Sequence, residues 1–414
     1  MKNIKKSKTV ISIFLAFIFS FSVLFASFDA VVYAQYGVLE VHFLDVGQGD
    51  CSIIKLPDGK TVIIDAGDTK TDNRNKILNY IEANFEIKYF DYAIITHTDA
   101  DHCGGIKDVL TNYPAKTIYR PNVLAAYSGF TDPVIAISQD ESKDDNLKLW
   151  TDDGVAADVD KIDRKSTAAY KNFIEQAYKT FELNNATYTP QVVVSDGRRI
   201  DRPEGKASQD IIGERYSITF YSPLQYKYDD SNDYSNIFIL EFMGFEFFFS
   251  GDAEKDAEED FVQTYAEYDF DIDVFKLGHH GSRTSSSTAL LDLVTKPSKR
   301  NQIFAIASCG KDNSYGHPHK EALDRLLSLG FSEDNILRTD TVGDIVFEVK
   351  PNSLGNYSLY YKDKSIPGDQ NNDFWKFLED LYKESPEVFY IVIGIIIVLG
   401  LLAAIIVFKQ KSKK

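Results

Sequence analysis

Residues 95–105 read Ile-Thr-His-Thr-Asp-Ala-Asp-His-Cys-Gly-Gly, so two imidazoles and two carboxylates, His97, Asp99, Asp101 and His102, fall within six positions directly after an apolar stretch. A loop leaving a strand end can turn all four side chains inward, and these donors at this spacing suit a divalent-metal site. Gly104 and Gly105 then let the backbone bend tightly into a helix. The competing reading is a polar turn that merely caps that helix. Against it, the same chemistry returns later in similar settings. Asp252 ends the very apolar run Phe247-Phe248-Phe249-Ser250-Gly251-Asp252, His279 and His280 follow Val274 to Gly278, and His317 and His319 lie in Ser314-Tyr315-Gly316-His317-Pro318-His319. Six of the seven histidines therefore occupy three short loops, leaving His42 as a structural residue on a strand. A carboxylate fed from an apolar strand costs free energy to bury unless it is paired, and a metal bridge would satisfy Asp252.

The elements that must position these side chains are legible as a strand rhythm. Val38 to Val46, Cys51 to Leu56 and Thr61 to Asp65 are short, apolar and separated by Gly-Gln-Gly and Pro-Asp-Gly turns. A helix with Ile77, Leu78 and Ile81 on one stripe follows over 75–85, and Tyr89 to Thr96 returns as the strand that delivers the first cluster. Strand signals resume at 216–221, 237–242, 245–250, 274–277 and 303–307, with helices near 254–265 and 320–329. Residues 121–212 change character, with scattered Asp and Lys, one helical stretch near 167–181 and few strand signals, and read as an insertion. Two sheets covered by helices result, an α/β (α+β) class, without an internal sequence repeat.

The 414 residues are 44% hydrophobic, enough for a large core. Lys2, Lys5, Lys6 and Lys8, an apolar run to Phe28 and the Val32-Tyr33-Ala34 triplet read as a signal peptide over 1–34, with an uncleaved anchor as the alternative. Residues 388–408 carry no charge, and at about 1.5 Å per residue they span roughly 30 Å, a bilayer core. The basic tail 409–414 favours the cytoplasmic side, placing the domain of residues 35–362 outside the cell membrane, with 363–387 as a juxtamembrane linker. The chain carries 45 basic and 62 acidic residues; the terminal segments 1–34 and 388–414 hold eight of the lysines and one of the aspartates, so the body keeps 37 against 61. That excess argues mildly against nonspecific binding to polyanions unless metals and a local patch compensate. Three cysteines, Cys51, Cys103 and Cys309, exclude a disulfide framework.

The motif set resembles the metallo-β-lactamase superfamily, and most closely its ComEC-like branch, the exported domain of DNA-uptake proteins and their stand-alone relatives. The resemblance spans about residues 38–350. It rests on Phe43-Leu44-Asp45-Val46-Gly47-Gln48-Gly49-Asp50, Ile64-Asp65-Ala66-Gly67, Thr96 to Gly105, Asn232-Asp233-Tyr234-Ser235, Ser250-Gly251-Asp252, Gly278-His279-His280-Gly281-Ser282, Tyr315-Gly316-His317-Pro318 and Arg338-Thr339-Asp340. It implies a four-layer αββα sandwich with the site at one edge. His97 and Asp99 would hold one metal ion, Asp101 and His102 a second, and Asp252 would bridge them. His279 matches the late histidine ligand, although His280 could take that place. Asp65 matches an aspartate that orients the ligand loop from behind, and Ser235 stands where many members supply a middle histidine. Three imidazoles with three carboxylates tilt the choice toward manganese or a mixed pair while allowing zinc.

Two such ions lower the pKa of a shared water so that hydroxide is available near neutral pH. Asp101 is then central to the chemistry, and His317 or His280 could protonate a leaving oxygen. The serines at 282 and 285–287 either cradle a phosphate at a helix start or cap that helix. The leading expectation is a membrane-anchored extracellular phosphodiesterase or nuclease, with DNA as a candidate substrate. A lactone, β-lactam or choline-phosphoester hydrolase is the second expectation, and a non-catalytic surface binding protein the third. The sequence names no protein partner.

Overall fold

The computed structural model describes residues 37–156, 158–197, 210–213, 215–352, 356–361 and 364–365. The expected signal peptide, juxtamembrane linker, membrane span and basic tail lie outside these residues. Among the described residues no helix is long and apolar enough to cross a membrane.

Two mixed sheets carry the structure. In the first, the strands run in the order Gln191–Val194, Ala115–Arg120, Phe90–Ile94, Thr61–Ile64, Ser52–Lys55, Leu39–Phe43, Ile345–Pro351, Tyr357–Tyr361 and Lys364–Ser365. In the second the order is Ile211–Ile212, Tyr216–Phe220, Phe238–Phe242, Phe245–Phe249, Val274–Lys276, Phe304–Ala307 and Ile336–Arg338. Each sheet has an antiparallel half made by hairpins and a parallel half made by crossovers. Thr61–Ile64, Phe90–Ile94, Ala115–Arg120 and Gln191–Val194 are mutually parallel in the first. Phe245–Phe249, Val274–Lys276, Phe304–Ala307 and Ile336–Arg338 are parallel in the second.

The period-2 alternation of strand side chains explains the layers. Phe43 stacks on Phe249 across the sheets at 5.7 Å, Tyr119 on Phe220 at 4.8 Å, and Phe347 meets Phe247 and Phe304 edge-on. One residue out of phase, His42 turns to the opposite face, where Tyr80 and Phe85 at the end of helix Thr71–Asn84 cover it and Tyr80 hydroxyl bonds its Nδ1 at 2.8 Å. Phe248 does the same in the second sheet, meeting Phe261 of helix Lys255–Thr264 at 5.9 Å. Helix, sheet, sheet and helix therefore stack in that order, with the apolar core between the sheets and a second apolar layer under each helical cover.

The 121–212 stretch is more tightly joined to this frame than its composition suggests. Thr167 caps helix Ala168–Ala177 through Oγ1, and the helix buries Tyr170, Phe173 and Ile174 in the main core. Three consecutive valines in Gln191–Val194 extend the first sheet as a parallel edge strand. Four residues are too few to separate a buried strand from loop on pattern alone, and only pairing with Ala115–Arg120 fixes them. Two late strands of the first sheet, Ile345–Pro351 and Tyr357–Tyr361, likewise come into view only in three dimensions.

Candidate metal centre

Ligands in open α/β sheets collect beyond the carboxyl ends of parallel strands, and here two sheets contribute such ends to one place. Asp65 follows Thr61–Ile64, His97 follows Phe90–Ile94, Asp252 follows Phe245–Phe249, and His279 and His280 follow Val274–Lys276. Backbone bonds knit the loops together. Asp50 amide donates to Asp101 carbonyl, Ala66 amide to His102 carbonyl, Asn236 amide to Thr96 carbonyl, and His279 amide to Gly251 carbonyl.

Asp252 is the hub. It is 2% exposed, and four imidazoles present Nε2 to it. His102 Nε2 lies 3.0 Å from Oδ1, while His280, His279 and His97 lie 3.5, 3.6 and 3.8 Å from Oδ2. Asp101 joins through Oδ2, 3.3 Å from His280 Nε2. Atoms sharing a tetrahedral ion at about 2.1 Å sit roughly 3.4 Å apart, the range seen here.

The opposite ring nitrogens are spoken for, which fixes how each imidazole points. His102 Nδ1 donates to Asp65 Oδ2 at 2.7 Å; Asp65 also accepts from Thr96 amide and hydroxyl at 2.9 and 2.7 Å. His279 Nδ1 bonds Glu254 Oε1 at 2.8 Å, and His280 Nδ1 bonds Ser308 carbonyl at 2.9 Å. Ser235, wholly buried, accepts the Asp252 amide through Oγ at 3.1 Å and so holds the loop rather than presenting a ligand nitrogen.

A cation fits this arrangement. His97 Nε2 is buried without a hydrogen-bond partner, and His102 Nε2, Asp252 Oδ1 and Asp50 Oδ1 are buried with only ion-pair contacts at 3.0–3.2 Å, a crowded state that a shared ion would relieve. Six carboxylates, on Asp50, Asp65, Asp99, Asp101, Asp252 and Glu254, gather around the histidines. Against them stand two lysines, Lys165 and Lys276. The carboxylates outnumber the lysines, and a bound cation would offset that excess together with any proton held by His102 or His280.

The same fields polarise the histidines. Burial pushes His102 down, but Asp252 and Asp65 outweigh it and hold the ring well above its ordinary value. His280 is likewise buried and is lifted to about 10 by Asp252, Asp50 and Asp101. His97 is lowered, by burial first and His102 second. Burial opposes ionisation of Asp252, yet His102 and His280 bring it well below the usual carboxylate range.

The remaining predicted residues are placed as follows. His317 stands at the rim of the cluster, its ring centroid 5.3 Å from that of His279 and 5.8 Å from that of His280. Burial, then His280 and His279, lower it to about 4. Asn313 pins its loop by accepting the His317 amide at 2.9 Å and donating to its carbonyl at 2.7 Å. Asp99 is turned to Lys165, 2.6 Å from Nζ, and is not drawn into the Asp252 group. The serines cap rather than cradle: Ser287 Oγ accepts from Leu290 amide, and Glu258 already occupies the amides of Ser286 and Ser287 at 2.5 and 2.8 Å. Cys103 is buried and its thiol, raised by burial and then by Asp65, donates to Thr98 carbonyl.

Three residues lay outside the sequence-based site. Asp50 joins His102, Asp252 and His280 in a group whose ligand atoms lie within 4.8 Å of one another. Its charge is balanced by Lys276, 2.5 Å away and equally buried. A lysine inside the apolar run 274–277 was the available signal, since such a residue is rarely buried unless paired. Glu254, which orients His279, carried no signal beyond its distance of two positions from Asp252.

Comparison with known proteins agrees with the geometry. The Metallo-beta-lactamase superfamily profile matches residues 44–301. ComE operon protein 3 of Bacillus subtilis (strain 168) is 25% identical over 336 residues, covering 78% of this chain and 34% of that protein. Competence protein ComA of Neisseria gonorrhoeae is 32% identical over 150 residues, 35% of this chain and 20% of that one. The chain thus spans about a third or less of the length of these relatives. Among solved structures, Igni18, a metallo hydrolase from Ignicoccus hospitalis KIN4/I, aligns over 75% of this chain and 100% of its own at 14% identity and a TM-score of 0.35. With the profile covering more than half of its length and the buried histidine–carboxylate cluster at its centre, the chain belongs to the metallo-β-lactamase superfamily and has the fold of a metal-dependent hydrolase.

Proposed function

We propose that the chain is a metal-dependent phosphodiesterase that acts on nucleic-acid or related phosphodiesters outside the cell, held to the membrane by residues 388–408. The observation that carries this reading is the ring of four buried or half-buried Nε2 atoms around the buried Asp252 carboxylate. Two divalent ions, zinc or manganese, would be held by His97, Asp99, Asp101, His102, Asp252 and His279, and when bound would acidify water and offset charge on phosphate oxygens.

The protein's own groups supply orientation and protons. Asp65 and Glu254 fix His102 and His279 with Nε2 inward. His280, with Nδ1 bonded to Ser308 carbonyl and Nε2 facing Asp101 at 3.3 Å, is assigned to deliver a proton to the leaving oxygen. His317, lowered to about 4, is neutral near pH 7 and is assigned to hydrogen-bond a substrate oxygen at the rim. Similarity to competence proteins supports a DNA-related substrate, and the outward orientation follows from the lysines after 408.

The test is turnover of bis(p-nitrophenyl)phosphate and of DNA by the full chain with added Mn²⁺ or Zn²⁺. Activity that needs the metal and disappears in Asp101→Ala and His102→Ala supports the proposal. Wild-type turnover no greater than that of these variants refutes it.

A further inference from the structure

We infer that Lys165, delivered by the 121–212 stretch, sets how tightly the weaker of the two metal ions is held, by competing with that ion for Asp99; this rests on the reading of Asp99 as a ligand. Of the three predicted carboxylate ligands, Asp101 and Asp252 face imidazoles. Asp99 faces an ammonium. Its Oδ1 accepts from Lys165 Nζ at 2.6 Å, and the same Nζ donates to Ser231 Oγ at 3.2 Å.

Lys165 is not a loose surface side chain. It lies on the short strand Arg164–Lys165, paired in parallel with Leu124–Ala125, and its carbonyl accepts the Ala126 amide at 3.0 Å. Only 26% of its side chain is exposed, and Asp99 is 36% exposed. The residues are 66 positions apart, so the contact exists only because the 121–212 stretch folds back over the cluster. At Asp65 and Glu254 the cluster follows the usual pattern, in which a carboxylate behind a ligand raises its donor strength. At Asp99 the partner has the opposite sign. An ammonium on one carboxylate oxygen draws off the charge that a cation needs, and two cations sharing one carboxylate repel each other.

The consequence is two unequal positions. One ion, held among buried imidazoles and Asp252, binds tightly; the one that requires Asp99 binds weakly, and its occupancy depends on where the 121–212 stretch holds Lys165. Groups that act on a metal through one of its ligands change affinity by about 10–100-fold. Lys165 is thus a positioning residue for Asp99 and needs no contact with substrate.

Mn²⁺ binding to the full chain, followed by calorimetry and by metal content after dialysis at defined free Mn²⁺, tests this without relying on turnover. The wild type is expected to show two steps. Lys165→Met and Lys165→Gln should each tighten the weaker step by about tenfold or more and leave the tighter step within about threefold. In the Asp99→Asn background Lys165→Met should give no such gain. A weaker-step Kd that is unchanged or raised in both Lys165 variants overturns the inference, as does equal tightening with Asn at position 99. If Asp99→Asn alone leaves both steps intact, Asp99 is not a ligand and the premise itself falls; if it removes one step while the Lys165 variants do nothing, only the inference falls.

Discussion

Asp65 Oδ2 and His102 Nδ1 are joined at 2.7 Å in a fully buried contact, and this bond decides which nitrogen of His102 faces the cluster. With Nδ1 committed as a donor, Nε2 is left 3.0 Å from Asp252 Oδ1. The aspartate is itself held by Thr96 through two further bonds, so the ring can neither flip nor tilt without leaving a charge unsatisfied.

Asp65→Asn keeps the shape and removes the charge behind the ligand. Metal affinity should fall by about 10–100-fold, read by competition with a chelator, while circular dichroism stays that of a folded chain. Unchanged affinity would deny Asp65 its role in orienting His102.

Gly251 has a φ of +52°, and a Cβ there would lie 2.8 Å from Thr96 Cβ, 2.9 Å from Thr96 Oγ1 and 3.0 Å from Ser235 Oγ. Gly251→Ala should cost about 2–4 kcal/mol in stability, because Thr96 and Ser235 are themselves buried and cannot retreat. Since Ser235 holds the Asp252 amide, metal binding should weaken together with the denaturation midpoint.

Lys276 and Asp50 form an ion pair at 2.5 Å with both side chains at most 5% exposed. Lys276→Met leaves Asp50 uncompensated apart from nearby histidines and should destabilise the metal-free chain by about 3–5 kcal/mol. Adding Asp50→Asn should recover part of that loss. A double variant as unstable as the sum of the two single changes would show that the pair does not act as a unit.

Glu258 is 1% exposed, and burial, opposed by bonds from Ser287 and Ser286, raises its carboxyl from 4.5 to about 7. The folded state therefore binds this proton more tightly than the unfolded one. The associated stability is complete below pH 4.5 and is lost as pH rises through about 7. The loss approaches about 3 kcal/mol above that range. Glu258→Gln should flatten the fall in urea midpoint between these pH values, whereas an equally steep fall in the variant would place its origin elsewhere.

Much of the cluster is visible in the chain itself. The His97–His102 spacing, the Asp252 carboxylate just after the apolar strand Phe245–Phe249 and the paired histidines at 279 and 280 announce metal chemistry because such donors seldom follow apolar strands in three separate places. Helices such as Lys320–Leu329 and the strands from Leu39–Phe43 to Phe304–Ala307 are legible too, since burial on one face imposes a period that local pattern preserves.

The sequence by itself determined the donor types, their attachment to strand ends and the alternation that separates the inter-sheet face from the helix-covered one. Tertiary structure alone decided which loops meet. Asp50 with Lys276, Glu254 with His279 and Asp99 with Lys165 are contacts between segments 226, 25 and 66 positions apart. The valines of Gln191–Val194 became a strand only through pairing with Ala115–Arg120. Periodicity reports the local environment of each residue, whereas the partner of a buried charge is set by sheet order and crossover geometry, which leave no period in the chain.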